Sequence, residues 1–106
     1  MNKTILLIDT TNREKIRVGL KLKGKTDFIS SSAKILKSQA TLLLIDKILK
    51  INALKPEDLD KIEVNTGPGS FTGIRVGIAV GNTLAYVLKI PINGKKVGEL
   101  VEAVYN

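Results

Sequence analysis

A ladder of small residues most constrains how this chain can fold: Gly73, Gly77, Gly81 and Ala85 recur every four residues in an apolar stretch. Four-residue spacing places them on one face of a helix. Glycine inside a helix costs about 1 kcal/mol relative to alanine, so a close neighbour must offset the cost of three. That neighbour is either the chain's own sheet or a helix of a partner, and the spacing favours neither.

The apolar periodicity along the chain predicts one α/β domain with a mixed sheet flanked by helices. Residues 16–22 alternate apolar and basic side chains and a turn follows them, so the chain opens as an antiparallel meander. The continuous apolar run at 4–8 predicts a strand buried on both faces. The order is β-β-β-α-β-α-β-α, with strands at 4–8, 16–22, 26–30, 61–65 and 90–93 and helices at 33–51, 73–88 and 97–105.

The first predicted helix has more apolar surface than one sheet can cover. Ser31 or Ser32 is expected to cap it, and its apolar side chains point in three directions around the axis. A helix of this kind does not rest on a sheet with its back in water. A partner is therefore expected to cover part of it.

Composition removes several classes of function. The 106 residues include no His and no Cys, so disulfides, imidazole or thiolate metal sites and a Ser-His-Asp triad are excluded and no metal site is predicted. No uncharged apolar run is long enough to cross a membrane. The apolar run that Asp9 ends is too short for a signal sequence, so a cytoplasmic protein without membrane contact is expected.

The net charge of +7 lies mostly in the first hairpin: eight basic and two acidic residues fall between positions 13 and 37. This basic face could follow an RNA backbone, and its lysines could equally protect an edge strand from aggregation. Aromatic residues make up 4% of the chain, which argues against a base-stacking platform. The predicted basic face comprises Lys15, Arg17, Lys21, Lys23 and Lys25.

Two loops could carry chemistry. The Gly-rich loop from Gly67 to Gly73 joins a strand to a helix, and either binds an anion with its backbone N–H groups or makes a tight turn. The second loop follows the first strand, where an acid could hold Mg²⁺ beside a phosphate or form an Asx-type turn. The candidate residues are Gly67, Gly69, Ser70 and Thr72 in the first loop, and Asp9, Thr10 and Thr11 in the second.

Four segments together resemble the N-terminal domain of the TsaB (YeaZ) family of tRNA threonylcarbamoyladenosine biosynthesis proteins. The most specific is Gly-Pro-Gly-Ser-Phe-Thr-Gly-Ile-Arg-Val-Gly at 67–77. The others are Ile-Asp-Thr-Thr at 8–11, Lys-Ser-Gln at 37–39 and Leu-Lys-Pro-Glu-Asp-Leu-Asp-Lys-Ile at 54–62. The resemblance covers essentially the whole chain and implies an actin-like ATPase fold of the RNase H-like (ASKHA) class.

The resemblance also implies a role. Members of this family are non-catalytic paralogues of TsaD, the enzyme that transfers the threonylcarbamoyl group to an adenosine next to the tRNA anticodon. It implies docking on a TsaD-like protein, which a TsaE-like ATPase joins, and homodimers through the same helices. Contact with tRNA is then indirect or weak. The implied interface residues are Leu36, Ala40, Leu43, Leu44, Gly73, Arg75, Gly77 and Gly81.

The chain departs from the family pattern in two ways. Lys37 stands where the family often has His before the Ser-Gln pair. The family's second domain is absent from residues 1–106, and nucleotides in this superfamily bind between two such domains. No cofactor is therefore expected. The alternative functions are a small nucleotide-binding domain that holds Mg-ATP at Asp9 and the Gly67–Gly73 loop, and a basic RNA-binding module.

Overall fold

The structure, a computed structural model, describes residues 2–32 and 36–103. Its elements follow the predicted order as far as the second helix. They are β1 (Ile5–Asp9), β2 (Lys15–Leu22), β3 (Lys25–Ser32), α1 (Lys37–Ile51), a short 3₁₀ turn (Pro56–Asp58), β4 (Lys61–Val64) and α2 (Phe71–Leu88).

The four strands form one mixed sheet in the order β3-β2-β1-β4. β2 pairs antiparallel with both β1 and β3, which confirms the predicted meander. β4 runs parallel to β1 along its other side. The predicted mixed sheet is therefore confirmed.

Alternation along the strands divides the sheet into an inner and an outer face. On the inner face Ile16, Val18 and Leu20 are at most 2% exposed, and they join one core with side chains of α1 and α2. Both helices lie on this face. Over the outer face, the described ranges place no helix. Leu7 points there and is only half-buried, so the predicted burial of the first strand on both faces is wrong at this residue.

α1 begins at Lys37, and the residues predicted to cap it, Ser31 and Ser32, belong to β3 instead. They pair with residues of β2, so their backbone is extended and cannot start a helix. Leu36 takes the capping position and its side chain makes no capping hydrogen bond. The predicted helical residues 33–35 lie outside the described part of the chain.

α2 begins at Phe71, two residues earlier than predicted, because Ser70 caps it: the Ser70 hydroxyl oxygen accepts a hydrogen bond from the Gly73 N–H at 3.2 Å. The helix ends at Leu88 as predicted. Its 18 residues, with a mean hydropathy of 1.3, also suit a membrane span by length and composition alone. However, its glycine-bearing side is buried against the sheet, as in the core helix of a globular domain.

Two predictions beyond α2 need correction. The last predicted strand is a single parallel bridge between Ile92 and Ile62. The last predicted helix is absent from residues 97–103, and 104–105 lie outside the described residues. Asn82 exchanges two hydrogen bonds with the backbone of Val101, and Gly98 has a φ of 95°. A right-handed helix does not contain that φ value, so the chain continues as a loop.

Candidate functional site

The glycine ladder packs against the chain's own sheet. A Cβ atom on Gly77 would lie 2.5 Å from the Thr10 hydroxyl and 3.3 Å from Cγ1 of Val64. One on Gly73 would overlap the carbonyl oxygen of Thr10, and one on Gly81 the side chain of Val64. All three glycines are buried. The prediction that they face a partner is therefore wrong, because the close neighbour they require is already present.

This close approach brings the two candidate loops together. The Ser70 N–H donates to the Thr11 carbonyl oxygen at 2.6 Å, and the Thr10 hydroxyl donates to the Gly73 carbonyl oxygen. A Cβ atom on Gly69 would lie 2.6 Å from the Thr11 carbonyl oxygen. Asp9–Thr11 and Gly67–Gly73, which the sequence treats as separate candidates, thus form one cluster beyond the carboxyl ends of β1 and β4.

Within this cluster the Asp9 carboxylate is held by its own loop. Thr11 donates to Oδ1 from its N–H at 3.0 Å and from its hydroxyl at 2.7 Å, and Asn65 Nδ2 lies 3.3 Å from Oδ2. Burial by itself raises the pKa of Asp9, but the hydrogen bonds from Thr11 and Asn65 and the charge of Arg17 outweigh burial and lower the pKa. This geometry is the Asx-type turn that the sequence left as an alternative.

The Gly-rich loop also uses its N–H groups internally. The Gly67 N–H donates to Asn65 Oδ1 at 3.0 Å, and the Gly73 N–H donates to the Ser70 hydroxyl oxygen. The Ser70 N–H is already directed at Thr11, while Thr72 is exposed in the first turn of α2. These contacts favour a tight turn over an anion cradle. Within residues 2–32 and 36–103, no three His, Cys, Asp or Glu side chains lie close enough together to bind a metal ion.

Large apolar side chains are exposed on the two helices and their starts. We call Leu36, Leu42, Leu43 and Phe71 the helix surface; they are 71%, 51%, 62% and 55% exposed. Leu44, also predicted to face a partner, is only 6% exposed and belongs to the core. Leu42 and Phe71 were not among the predicted interface residues. Their signal in the sequence is weak, because the three-directional pattern of α1 does not rank its apolar residues and the sequence predicts a loop at Phe71.

Two grooves flank α1 beside the helix surface. One, of about 330 Å³, lies between β3 and α1 and is lined in part by Gln39, Ala40 and Leu43. The other, of about 380 Å³, lies between α1 and α2 and is lined in part by Phe71 and Arg75. Of the predicted interface residues, Leu36, Ala40, Leu43 and Arg75 therefore lie at the surface of the helix layer.

The predicted basic face is divided by the strand register. Lys15, Arg17 and Lys21 are exposed on the outer face of β2, opposite the helices. Lys23 lies in the hairpin turn with a φ of 53°. Lys25 pairs with Leu22 and so lies on the other side of the hairpin. The register therefore places Lys15, Arg17 and Lys21 on one face of the hairpin and Lys25 on the other, and the binding role of the basic face stays a prediction.

Residues 31–95 match the model of a protein family described as TsaD: tRNA N6-adenosine threonylcarbamoyltransferase. This span runs from the end of β3 through both helices and β4. It therefore includes both grooves and the Gly-rich loop.

Curated relatives match a larger part of the chain. The tRNA threonylcarbamoyladenosine biosynthesis protein TsaB of Bacillus subtilis is 38% identical over 93 residues, which are 85% of this chain and 39% of the relative. TsaB of Haemophilus influenzae is 34% identical over 91 residues, 86% of this chain and 38% of the relative. The chain thus spans about two fifths of the length of these curated relatives.

Among solved structures, YeaZ from Pseudomonas aeruginosa superposes with a TM-score of 0.80 at 28% sequence identity. The match covers 90% of this chain and 44% of that chain. The predicted fold class, an actin-like domain with a mixed sheet, is thereby confirmed, as is the resemblance on which it was based.

Proposed function

Because the chain belongs to the family described as TsaD: tRNA N6-adenosine threonylcarbamoyltransferase, and resembles TsaB within it, we propose that it is a non-catalytic subunit in tRNA threonylcarbamoyladenosine biosynthesis. In this role it docks a TsaD-like protein in the cytoplasm through its helix surface and supports the modification of the adenosine next to the anticodon. A TsaE-like ATPase joins that pair. In isolation the same surface forms a homodimer.

The observation that carries this proposal is the exposure of four large apolar side chains on neighbouring parts of one helix layer. Leu36, Leu43 and Phe71 are each more than half exposed, and each apolar side chain of this size gains about 1.5–3 kcal/mol when it is fully buried. The grooves beside them offer room for side chains of a partner helix. A helix-in-groove contact uses anchors of this kind.

The non-catalytic assignment is supported by what surrounds the polar residues. The chain has no His and no Cys, and the Asp9 carboxylate accepts hydrogen bonds from its own loop. Neither an acid–base pair nor an activated nucleophile is formed by the residues that the candidate cluster contains. The cluster instead fixes α2 on the sheet, and so positions the helix surface.

Co-purification tests the proposed interface directly. A tagged wild-type chain is co-expressed with a TsaD-like protein and compared with Leu43→Glu and with Val97→Glu. Both substitutions replace an apolar side chain that is more than half exposed with a charged one, but Val97 lies outside both helices. We expect Leu43→Glu to abolish recovery of the partner and Val97→Glu to leave it unchanged.

If Leu43→Glu recovers the partner as well as wild type, the interface assignment is wrong. Gly77→Leu is not a useful interface variant, because its side chain would collide with Thr10 and Val64 inside the domain. Sedimentation velocity of the isolated chain tests the homodimer. We expect wild type to sediment as a dimer and Leu43→Glu as a monomer.

The alternative function, nucleotide binding, uses the cluster of Asp9 and the Gly-rich loop. Its support is position alone: the cluster lies beyond the carboxyl ends of two parallel strands, where ligands bind in many open α/β sheets. Isothermal titration with Mg-ATP separates the two functions. We expect no binding heat at millimolar nucleotide, and a saturable heat that disappears in Asp9→Asn would favour the alternative.

A further inference from the structure

We infer that the outer face of the first hairpin binds the phosphate backbone of RNA, through a basic row formed by Lys15, Arg17 and Lys21. These three residues alternate with core residues along β2 and are all exposed. The row lies on the side of the sheet opposite the helix surface. It goes beyond the proposed function, because docking through the helices neither requires it nor obstructs it.

The position of the basic row in the sheet argues against a purely structural role for its residues as protection of an edge strand. Lysines that prevent sheet-to-sheet aggregation lie on edge strands. Here β3 is the outermost strand next to β2, and β2 is paired on both sides. Lys15, Arg17 and Lys21 therefore lie on an interior strand, where edge protection does not account for them.

Arg17 is held in place by its neighbours. Its guanidinium lies 4.2 Å from the ring centroid of Phe28, the β3 residue that pairs with Gly19 of β2. A Cβ atom on Gly19 would lie 2.6 Å from that ring, so the ring occupies the space that a side chain there would fill. Stacking on an aromatic ring leaves the N–H groups at the edge of the guanidinium able to donate to a phosphate.

The outer face is polar on its β3 side and carries acids towards β4. By register, Thr26, Ser30 and Ser32 of β3 share this face with the basic row. Asp9, which pairs with Arg17, and Glu63, which pairs with Leu7, lie on it as well, so a phosphate backbone is expected to follow the β2–β3 side of the face. Lys, Arg, Ser and Thr are among the side chains that contact nucleic-acid backbones. Lys and Ser are depleted in the buried centre of protein interfaces, so an acidic protein partner is the less suitable occupant.

The length of the basic row is enough to contact several phosphates of an extended nucleic-acid backbone. Lys15 and Arg17 are two residues apart on a strand, which corresponds to about 7 Å, and Lys21 is about 13 Å further on. A line of cations of this length can contact several phosphates but reads no base edges. Binding is therefore expected to be salt-dependent and insensitive to sequence.

Fluorescence anisotropy with labelled, unmodified tRNA transcript and the full chain tests the inference. Lys15→Glu/Lys21→Glu is compared with the matched control Lys95→Glu/Lys96→Glu, which changes the net charge equally at exposed residues of the loop after α2. Arg17 is left intact so that its packing on Phe28 is retained. Circular dichroism confirms that both variants fold.

We expect Lys15→Glu/Lys21→Glu to weaken binding about tenfold or more and to lower the slope of log affinity against log salt by about 2 between about 50 and 200 mM salt. The control is expected to keep the wild-type slope. If both variants lose the same affinity for the tRNA, net charge alone accounts for the effect and the inference is overturned. So would displacement of the tRNA by poly-glutamate as effectively as by unlabelled tRNA, because the face would then select acidic polypeptide equally.

The outcome is distinguishable from failure of the proposed function. Leu43→Glu alters only the helix surface and is expected to keep wild-type affinity for the tRNA, while Lys15→Glu/Lys21→Glu is expected to keep its partner in co-purification. If Leu43→Glu weakens tRNA binding, or if Lys15→Glu/Lys21→Glu loses the partner protein, the two surfaces are not independent and the RNA assignment to the outer face fails.

Discussion

The hydroxyl of Thr10, just beyond β1, donates a hydrogen bond to the carbonyl oxygen of Gly73 in the first turn of α2. The two residues are 63 positions apart in the sequence, and Thr10 is completely buried. Gly73 in turn has no room for a side chain, because a Cβ atom would overlap the Thr10 carbonyl oxygen. This one contact fixes the start of α2 against the sheet, and through α2 it fixes one wall of the groove beside α1.

Thr10→Val tests the hydrogen bond with little change in shape. It removes one of the two donors to the Gly73 carbonyl oxygen, which also accepts within the helix, and is expected to lower the free energy of unfolding by about 0.5–1.5 kcal/mol. Urea denaturation measures the loss. Thr83→Val is the matched control, because the Thr83 hydroxyl also donates to a backbone carbonyl but is exposed, and it is expected to change stability by about 0.5 kcal/mol or less.

Gly73→Ala tests the close approach itself. In an ordinary helix this substitution adds about 1 kcal/mol of stability, but here the new methyl group would meet the Thr10 backbone. We expect a net loss of about 1–3 kcal/mol in the free energy of unfolding. Thr72→Ala, one residue earlier at an exposed position of the same turn, is expected to be nearly neutral. A stabilised Gly73→Ala would show that the helix does not lie this close to the sheet.

Asp9→Asn tests the electrostatic part of the cluster through pH. The pKa of Asp9 is lower in the folded chain than its ordinary value of 3.8. The ionised carboxylate therefore contributes stability above that value, and the contribution is lost as pH falls through the folded pKa. We expect the stability difference between wild type and Asp9→Asn to shrink as pH is lowered from about 5 to 2.

The control for that measurement is Asp46→Asn at an exposed ion pair of α1. Asp46 lies 2.9 Å from Lys50, and its side chain is 59% exposed. Surface pairs of this kind contribute about 0–1 kcal/mol, so this variant is expected to follow the wild-type pH profile closely. A difference for Asp9→Asn that does not vary with pH would rule out a role for its charge.

Asn93→Gly tests how the sheet ends. The Asn93 side chain accepts from the Val64 N–H at 2.7 Å and donates to the Val64 carbonyl oxygen at 3.0 Å. Glycine tolerates the φ of 49° at this position, so the substitution removes the two hydrogen bonds without backbone strain. We expect a loss of about 1–3 kcal/mol. Thermal unfolding should show it as a lower Tm.

Lys89→Gly provides the comparison for Asn93→Gly. Lys89 has a similar φ of 57° at the end of α2, where glycine is the preferred residue. The substitution is expected to leave stability unchanged or raise it by up to about 1 kcal/mol. Equal losses in the two variants would show that chain entropy, rather than the Asn93 hydrogen bonds, determines the effect.

The sequence determines the elements that depend on local pattern. Alternation from Ile16 to Leu22 specifies a two-faced strand, and the apolar stretch after Ser70 specifies a helix, because both periods are visible in adjacent residues. The ladder of Gly73 and Gly77 also shows that a close neighbour exists. It does not identify the neighbour, since spacing along a helix carries no information about what lies across from it.

The failures of prediction have long-range causes. The expected helix at 97–105 is absent over its described part because Asn82, 19 residues away, binds the backbone of Val101. The serines expected to cap α1 are drawn into β3 by pairing with β2. Likewise, whether Leu43 or Leu44 faces solvent depends on where the sheet lies under α1. Each outcome is decided by tertiary contacts that no local window contains.

Because of the Asn93 side-chain amide, the two edges of the sheet differ in their ability to pair with another strand. At β4, the N–H and the carbonyl oxygen of Val64 are already hydrogen-bonded to the Asn93 side chain, so another strand cannot pair there without displacing that side chain. At β3, the described residues leave a run of main-chain groups paired on one side only. Strand addition between copies of this domain would therefore stop at a pair joined β3 to β3, because that pairing uses the one open edge of each copy.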